Sequence, residues 1–274
     1  MTIGGISSSF SVQTNLTALS NTNNLLRKTE QQLATGKSVN SAADNAVVFA
    51  AAQSFLQQAN DLSNLKNNLS NAVVTVNSAT SSISSVTQMV QQLQSIVSQA
   101  SATTDPTTKA SLATQYNALL PQLDQLANDS TFNGTNLLNS TSNNLVVQFN
   151  PSNTAGLTIP GVNVTSAGLN ISGASNGFGS SSDINAANTQ LQSALSTLRS
   201  DASALGTNAT LIQTNQDFST NLINNLQSAS NNLVVADTNE AGANLLALQA
   251  QNQLGIISLG ISGQAAQGIL KLFK

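Results

Sequence analysis

The dominant pattern in this sequence is a heptad repeat of apolar residues that runs from Asp44 to Ala100. Every seventh residue from Val48 is apolar, and the interleaved series from Ala51 is apolar except at Gln58. Such a repeat forms the a/d seam of a coiled coil. No Pro or Gly interrupts it, so nothing local ends or kinks the helix. The pattern therefore predicts one long helix whose seam packs against partner helices of similar length.

A shorter helical pattern precedes this element. Residues 1–10 are rich in Gly and Ser and are interpreted as a flexible lead. From Leu16 an apolar series predicts a helix that ends near Thr35 and Gly36, because Gly readily adopts the left-handed conformation that closes helices.

After the long helix, Asp105 and Pro106 predict a turn, and a further helix is expected to fold back antiparallel. Pro121 lies inside this helix and predicts a kink or a break. Tyr116 is interpreted as a core residue with its hydroxyl at the edge. The apolar stripe of this helix consists of Leu112, Tyr116, Leu119, Leu123 and Leu126.

The character of the sequence changes over residues 132–182, where Gly, Pro and Asn punctuate short apolar runs. The runs at 145–149 and 162–164 predict strands, so this segment is interpreted as a small β-rich cap. Helix is predicted again from Ile184 and is expected to continue to the C-terminus.

These patterns predict a mainly α protein: a long antiparallel coiled-coil helical bundle with a small β-rich cap and paired N- and C-terminal helices. The last turns of the chain, from Ile256 to Phe273, are apolar and would be an aggregation liability in a monomer, so they indicate an interface. Several glycines weaken that helix. Both termini are therefore expected to be disordered alone and helical only when packed.

Composition limits the possible partners. Charged residues make up only 7% of the chain and the net charge is −3, so no basic surface is expected for nucleic acid or an anionic membrane. The polar residues are mostly uncharged, which favours packing of the chain against copies of itself. No basic and apolar leader marks a cleavable secretory signal, and no apolar run is long enough to span a membrane.

The sequence offers little for catalysis. It contains no His and no Cys, and no phosphate-binding loop, metal-ligand cluster or nucleophile-base pair is visible. The acidic pairs Asp124/Asp129 and Asp237/Glu240 are interpreted as solvated helix residues or caps. An enzyme, a cofactor and a metal are accordingly not expected.

Three stretches resemble bacterial flagellins. Residues 33–46, LATGKSVNSAADNA, are similar to the N-terminal flagellin signature, although Asn45 replaces its second acid. Residues 131–138, TFNGTNLL, resemble a mid-chain Phe-Asn-Gly turn, and residues 228–274 resemble the terminal helix. The chain is similar to a short flagellin that lacks large outer domains.

This resemblance implies a structural subunit that self-assembles into the extracellular flagellar filament used for swimming. Residues 1–40 and 237–274 would form the two halves of the filament core, and residues 41–236 the long-helix bundle, with the β-rich insert at 132–182. The family also implies type III export, an export chaperone, and hook-associated and filament-cap proteins as partners. The expected assembly residues are apolar: Leu19, Leu26, Leu33, Leu246, Leu254, Ile257, Ile261 and Leu272.

Two other functions remain open at this point. A hook-filament junction protein shares the terminal helices but caps the tube instead of propagating it. A secreted helical adhesin would be a stable monomer with ordered termini.

One departure from the family concerns recognition by an innate-immune receptor. Flagellins that activate the Toll-like flagellin receptor carry two Arg and a Glu on one patch of the long helix. An ungapped alignment places Gln91, Leu93 and Gln94 at those positions. Because charged, multidentate contacts would be lost, weaker recognition is expected.

Overall fold

The computed structural model describes residues 3–152 and 154–272, which form five α-helices, two short antiparallel hairpins and one 3-10 turn. These elements confirm the predicted mainly α fold. The helices are α1 (Ile3–Thr35), α2 (Ala46–Ala102), α3 (Pro106–Asp129), α4 (Ser181–Val234) and α5 (Thr238–Leu272). The strands are β1 (Thr131–Phe132), β2 (Thr135–Asn136), β3 (Asn144–Gln148) and β4 (Gly156–Pro160), and the 3-10 turn is Ser175–Phe178.

The chain divides into two compact units. The first unit comprises residues 1–58 and 225–274, and the second comprises residues 59–224. The first unit contains α1 and α5 with the adjoining ends of α2 and α4, whereas the second contains α3, the hairpins and the remainder of α2 and α4. The functional division at residues 40 and 237 stays a prediction.

The heptad seam of α2 is buried over the part of the helix that lies in the second unit. From Leu62 to Ala100 every predicted seam residue is buried, and Leu69 has no accessible surface. At the start of α2 the buried positions are Ala52 and Ala59, one residue later than predicted. This shift leaves Gln58 exposed, as expected because an unpaired amide is costly to bury.

Helix α3 continues through Pro121 to Asp129, so the predicted break is wrong. Pro121 is exposed, while Tyr116, Leu123 and Ala127 are buried along the other side of the helix. Packing of that side holds the helix together despite the one backbone hydrogen bond that proline cannot make.

Tyr116 is a core residue, as predicted, but its hydroxyl is not at the edge. The side chain has 0% exposure, and the buried hydroxyl has no hydrogen-bond partner among the described residues. Burial raises the pKa of Tyr116 to about 12. The ring contacts Phe178 edge to face, with centroids 5.4 Å apart.

The β-rich segment contains less strand than the sequence suggested. Strand β3 confirms the predicted run at 145–149 and pairs with β4, whereas residues 162–164 do not form a strand. Residues 162–164 make an isolated bridge between Asn163 and Asn139 and two backbone hydrogen bonds, from Val162 N to Leu137 O at 2.7 Å and from Val164 N to Leu138 O at 2.8 Å. Strand β4 ends at Pro160, which cannot donate to a sheet ladder.

Two predicted helix limits are also corrected. The helix expected to run unbroken from Ile184 stops at Val234, and a new helix starts after Asp237, whose carboxylate accepts hydrogen bonds from Asn239 N and Glu240 N at 2.9 and 3.2 Å. At the other end, the lead predicted to be flexible is helical from Ile3.

Candidate assembly surface

The terminal helices α1 and α5 pack against each other as an antiparallel pair. The Asn15 amide donates to the hydroxyls of Ser258 and Ser262, each at 3.3 Å, and the Asn252 amide donates to Asn23 Oδ1 at 2.6 Å. Later residues of α1 therefore contact earlier residues of α5, so the two helices run in opposite directions. The predicted pairing of the N- and C-terminal helices is confirmed.

Gly255 of α5 lies directly against Leu19 of α1. A Cβ atom added at Gly255 would lie 3.1 Å from Leu19 Cδ1, so Leu19 fills the space that the missing side chain leaves. Leu26 is one heptad further along α1 and is also partly buried. Both leucines thus belong to the contact within one chain.

The connectors at the other end of the helix pair are hydrogen-bonded to each other. Ser38 N donates to Val234 O at 2.7 Å, and Ala236 N donates to Gly36 O at 2.9 Å. Gly36 has φ +67°, in the left-handed region where a side chain is unfavourable. The signature segment therefore joins the ends of α1 and α4 through backbone contacts.

Asp44 organises the turn that leads into α2. Its carboxylate accepts hydrogen bonds from Asn40 N and Ser41 N, both at 3.1 Å, and forms an ion pair with Lys28 Nζ at 3.4 Å. The backbone hydrogen bond from Asn40 is the largest cause of the lowered pKa of Asp44, with smaller contributions from Ser41 and Lys28. The conformation of this turn thus depends on an ionised carboxylate.

The side of α5 that faces away from α1 is apolar and exposed. With about 3.6 residues per turn, Gly255 and Asn252 face α1 and the residues half a turn away face solvent. We call this surface the α5 apolar face; it comprises Leu246, Leu254, Ile257 and Ile261, whose exposures are 68, 64, 58 and 62%.

The predicted assembly residues thus fall into three groups. The members of the α5 apolar face and Leu33, at 39%, are exposed. Leu19 and Leu26 are partly buried within the helix pair. The side chain of Leu272 lies outside the described residues. Their burial between subunits stays a prediction.

The sequence reasoning missed Phe10, which is 73% exposed on α1. It was overlooked because residues 1–10 were interpreted as a flexible lead. A large aromatic residue directly after a run of three Ser was the available signal, since such residues are usually buried somewhere in a protein or its interfaces.

The predicted receptor patch is not a single exposed surface. Gln91 is exposed and Gln94 is partly buried, but Leu93 has 0% exposure. Leu93 is buried because it occupies a seam position of the heptad repeat. The predicted loss of receptor contacts at these three positions stays a prediction.

Among residues 3–152 and 154–272, no three His, Cys, Asp or Glu side chains are grouped so that they could hold a metal ion. In the same part of the chain, no helix has the length and apolar character needed to cross a membrane.

Comparison with known proteins gives consistent matches. The profile of the bacterial flagellin N-terminal helical region matches residues 6–143. Flagellin FljN of Caulobacter vibrioides is 28% identical over 257 residues, which cover 93% of each chain. Flagellin FljK of the same organism is 26% identical over 275 residues and the match covers 100% of both chains. A crystal structure of Bacillus cereus flagellin, 17% identical, aligns with 56% of this chain and 88% of its own with a TM-score of 0.48.

Proposed function

This chain belongs to the bacterial flagellin family, and we propose that its α5 apolar face is buried against neighbouring copies in the filament. Flagellins are structural proteins, and this one is a subunit that polymerises into the extracellular flagellar filament used for motility. The observation that supports the proposal is the row of four large aliphatic side chains exposed along one side of α5.

The energies involved favour a reversible assembly. Complete burial of a Leu or Ile contributes about 1.5 to 3 kcal/mol, so covering what remains exposed on the α5 apolar face contributes about 1 to 2 kcal/mol per residue. The four residues together contribute about 4 to 8 kcal/mol. Association costs at least about 4 kcal/mol in lost freedom. We therefore expect filaments to need a seed and to dissociate on heating.

The test is seeded polymerisation of purified subunits, observed by negative-stain electron microscopy. The wild-type chain should extend short seeds into long uniform tubes. Leu254→Asp and Ile257→Asp should extend none, because each would bury an unpaired carboxylate at a cost of several kcal/mol. Circular dichroism and hydrogen exchange of residues 59–224 should be unchanged in both variants.

Gln251→Asp is the matched control. Gln251 is an exposed polar residue of the same helix, on the flank between the α5 apolar face and the contact with α1. This variant adds the same charge without removing an aliphatic side chain, so it should polymerise. Normal filaments from Leu254→Asp would refute the proposal, and equal failure of Gln251→Asp would show that added charge alone blocks assembly.

The same proposal assigns further partners. The chain is exported by the flagellar type III pathway, is held at its C-terminal region by an export chaperone, and meets hook-associated and filament-cap proteins at the filament ends. It uses no cofactor and catalyses no reaction. Support comes from family membership and from the uncharged polar composition. Loss of chaperone binding on truncation before Thr238 would agree with it, whereas undiminished binding would contradict the chaperone assignment.

We also propose weak recognition by the Toll-like flagellin receptor. Gln91 and Gln94 are uncharged where activating flagellins carry charged residues, and the buried Leu93 offers no compensating contact. Purified monomer should stimulate receptor-bearing reporter cells far less than an activating flagellin does. Equal stimulation would refute this proposal.

A further inference from the structure

The chain contains two Asn-Gly dipeptides, and both have the same backbone conformation. Asn133 and Gly134 connect β1 to β2 with φ values of +48 and +79°, and Asn176 and Gly177 lie in the 3-10 turn with φ values of +46 and +62°. Both asparagine side chains are exposed. Local sequence and backbone region are therefore matched, while the surroundings differ.

We propose that Asn133 is a site of spontaneous deamidation in the folded subunit and that Asn176 is protected from the same reaction. The backbone nitrogen of Gly134 attacks Cγ of Asn133, a new N–C bond forms, and the Cγ–Nδ2 bond breaks. The nitrogen loses its proton, ammonia leaves, and a succinimide ring remains. Water then opens either carbonyl of the ring, giving aspartate or isoaspartate.

The surroundings of Asn133 allow the required rotation. Its side chain makes no hydrogen bond to another described residue, and a Cβ atom added at Gly134 would meet nothing within 4 Å. The turn joins strands of two residues each, paired only at Thr131–Asn136 and Phe132–Thr135. Little structure has to open before the Asn133 side chain can reach the next backbone nitrogen.

The surroundings of Asn176 oppose that rotation. Its backbone carbonyl accepts a hydrogen bond from Gly179 N at 3.0 Å, which closes the turn. The residue after the dipeptide, Phe178, has 0% exposure and its ring contacts Tyr116. Rotation about the Asn176 backbone would displace this buried ring.

Modification at Asn133 changes both charge and geometry. The neutral amide becomes a carboxylate, so the net charge moves from −3 to −4. The isoaspartate product also adds a methylene group to the backbone of a two-residue turn, which breaks the pairing of β1 with β2. Older subunits would therefore carry an altered surface beside Asn71 and Val146, which border the same groove as Asn133.

The test is to incubate the full-length native monomer in mildly alkaline buffer and to map both sites by mass spectrometry of peptides. Asn133 should deamidate about tenfold faster than Asn176 or more, because rotation at Asn176 must first displace the buried Phe178 ring. In concentrated urea the two sites should react at similar rates. Equal rates in the native protein, or a faster reaction at Asn176, would overturn the proposal.

Phe178→Ala separates the contributions. This variant removes the buried ring that follows the second dipeptide, so deamidation at Asn176 should accelerate while Asn133 is unaffected. An unchanged Asn176 rate would overturn the protective role given to that ring. Asn133→Gln should abolish the fast reaction, and persistence of equally fast ammonia release would show that the reactive site lies elsewhere.

Discussion

Replacing Tyr116 with Phe should stabilise the second unit. Tyr116 is a buried residue of α3 that contacts the 3-10 turn, and its hydroxyl has no hydrogen-bond partner in the described part of the chain. In the unfolded chain the same hydroxyl is hydrated. Folding therefore loses hydrogen bonds to water at this atom and gains none.

The magnitude follows from two opposing effects. A buried polar group left without a partner costs about 1 to 3 kcal/mol. Removing the oxygen also leaves a small void, which costs up to about 1 kcal/mol in lost packing. The edge-to-face contact with Phe178 does not involve the hydroxyl oxygen and should persist. Tyr116→Phe should thus raise the free energy of unfolding by about 1 kcal/mol.

Urea unfolding followed by circular dichroism measures this change, and Ser219→Ala serves as the comparison. Ser219 is also buried, but its hydroxyl donates to Asn215 O at 2.8 Å, so its removal relieves no unpaired group. Any gain there should stay within about 0.5 kcal/mol, the difference in helix propensity. A less stable Tyr116→Phe protein would refute the reasoning and indicate that a bound water molecule satisfies the hydroxyl.

The same side chain predicts a pH dependence. Tyr116 is the only Tyr and there is no Trp, so ultraviolet absorbance reports its ionisation directly. Its pKa rises from 10.0 in the unfolded chain to about 12 in the folded one. The folded state thus holds the proton more tightly, and stability present below pH 10.0 should be lost as pH rises towards about 12. Tyr116→Phe should show no such loss from this group.

Three further predictions concern backbone contacts. Asn136→Ala should lower the free energy of unfolding by about 2 to 4 kcal/mol in urea, because the buried amide makes four hydrogen bonds to backbone atoms whose loss leaves buried groups unpaired. Gly36→Ala should destabilise the first unit by about 1 to 2 kcal/mol in thermal unfolding, since the φ of Gly36 is +67°. Gly206→Ala is the contrasting variant, because Gly206 lies inside α4, where Ala has the higher helix propensity and should stabilise the protein by up to about 1 kcal/mol. The pKa of Asp44 is lowered in the folded chain, so its carboxylate contributes to the free energy of unfolding above pH 3.8, and this contribution is lost as pH falls through the folded-state pKa. Asp44→Asn should lack this part of the stability loss when unfolding is measured at falling pH.

Periodicity predicted the parts of the fold in which one face of a helix is buried by a long, regular partner. The seam from Leu62 to Ala100 is an example, because each of its residues meets the same kind of environment. The same pattern places Leu93 in the buried seam, where it has 0% exposure. Where the environment changes, as at Ala52 and Ala59, the buried register shifts and a strict seven-residue count places the wrong residue inside.

Helix ends that depend on hydrogen bonds from side chains to the backbone were harder to predict. The stop between α4 and α5 results from the Asp237 cap and from pairing of Ala236 with Gly36, a residue far away in the sequence. Apolar residues continue across the stop, so hydrophobic periodicity alone predicts one helix. Pro121 shows the reverse case, in which a helix-breaking residue is tolerated because the opposite side is firmly packed.

The terminal helix shows why the sequence indicates a need for further packing partners but does not identify them. Leu245, Leu248 and Leu259 lie on the side of α5 that faces α1 and are partly buried, while the α5 apolar face points to solvent. A helix that is apolar all round needs cover on every side. The apolar composition of α5 indicates that it needs more than one partner, since a single partner helix covers only one side. Which surface of a neighbouring copy provides the rest depends on contacts between residues of different chains, and periodicity within one chain carries no information about them.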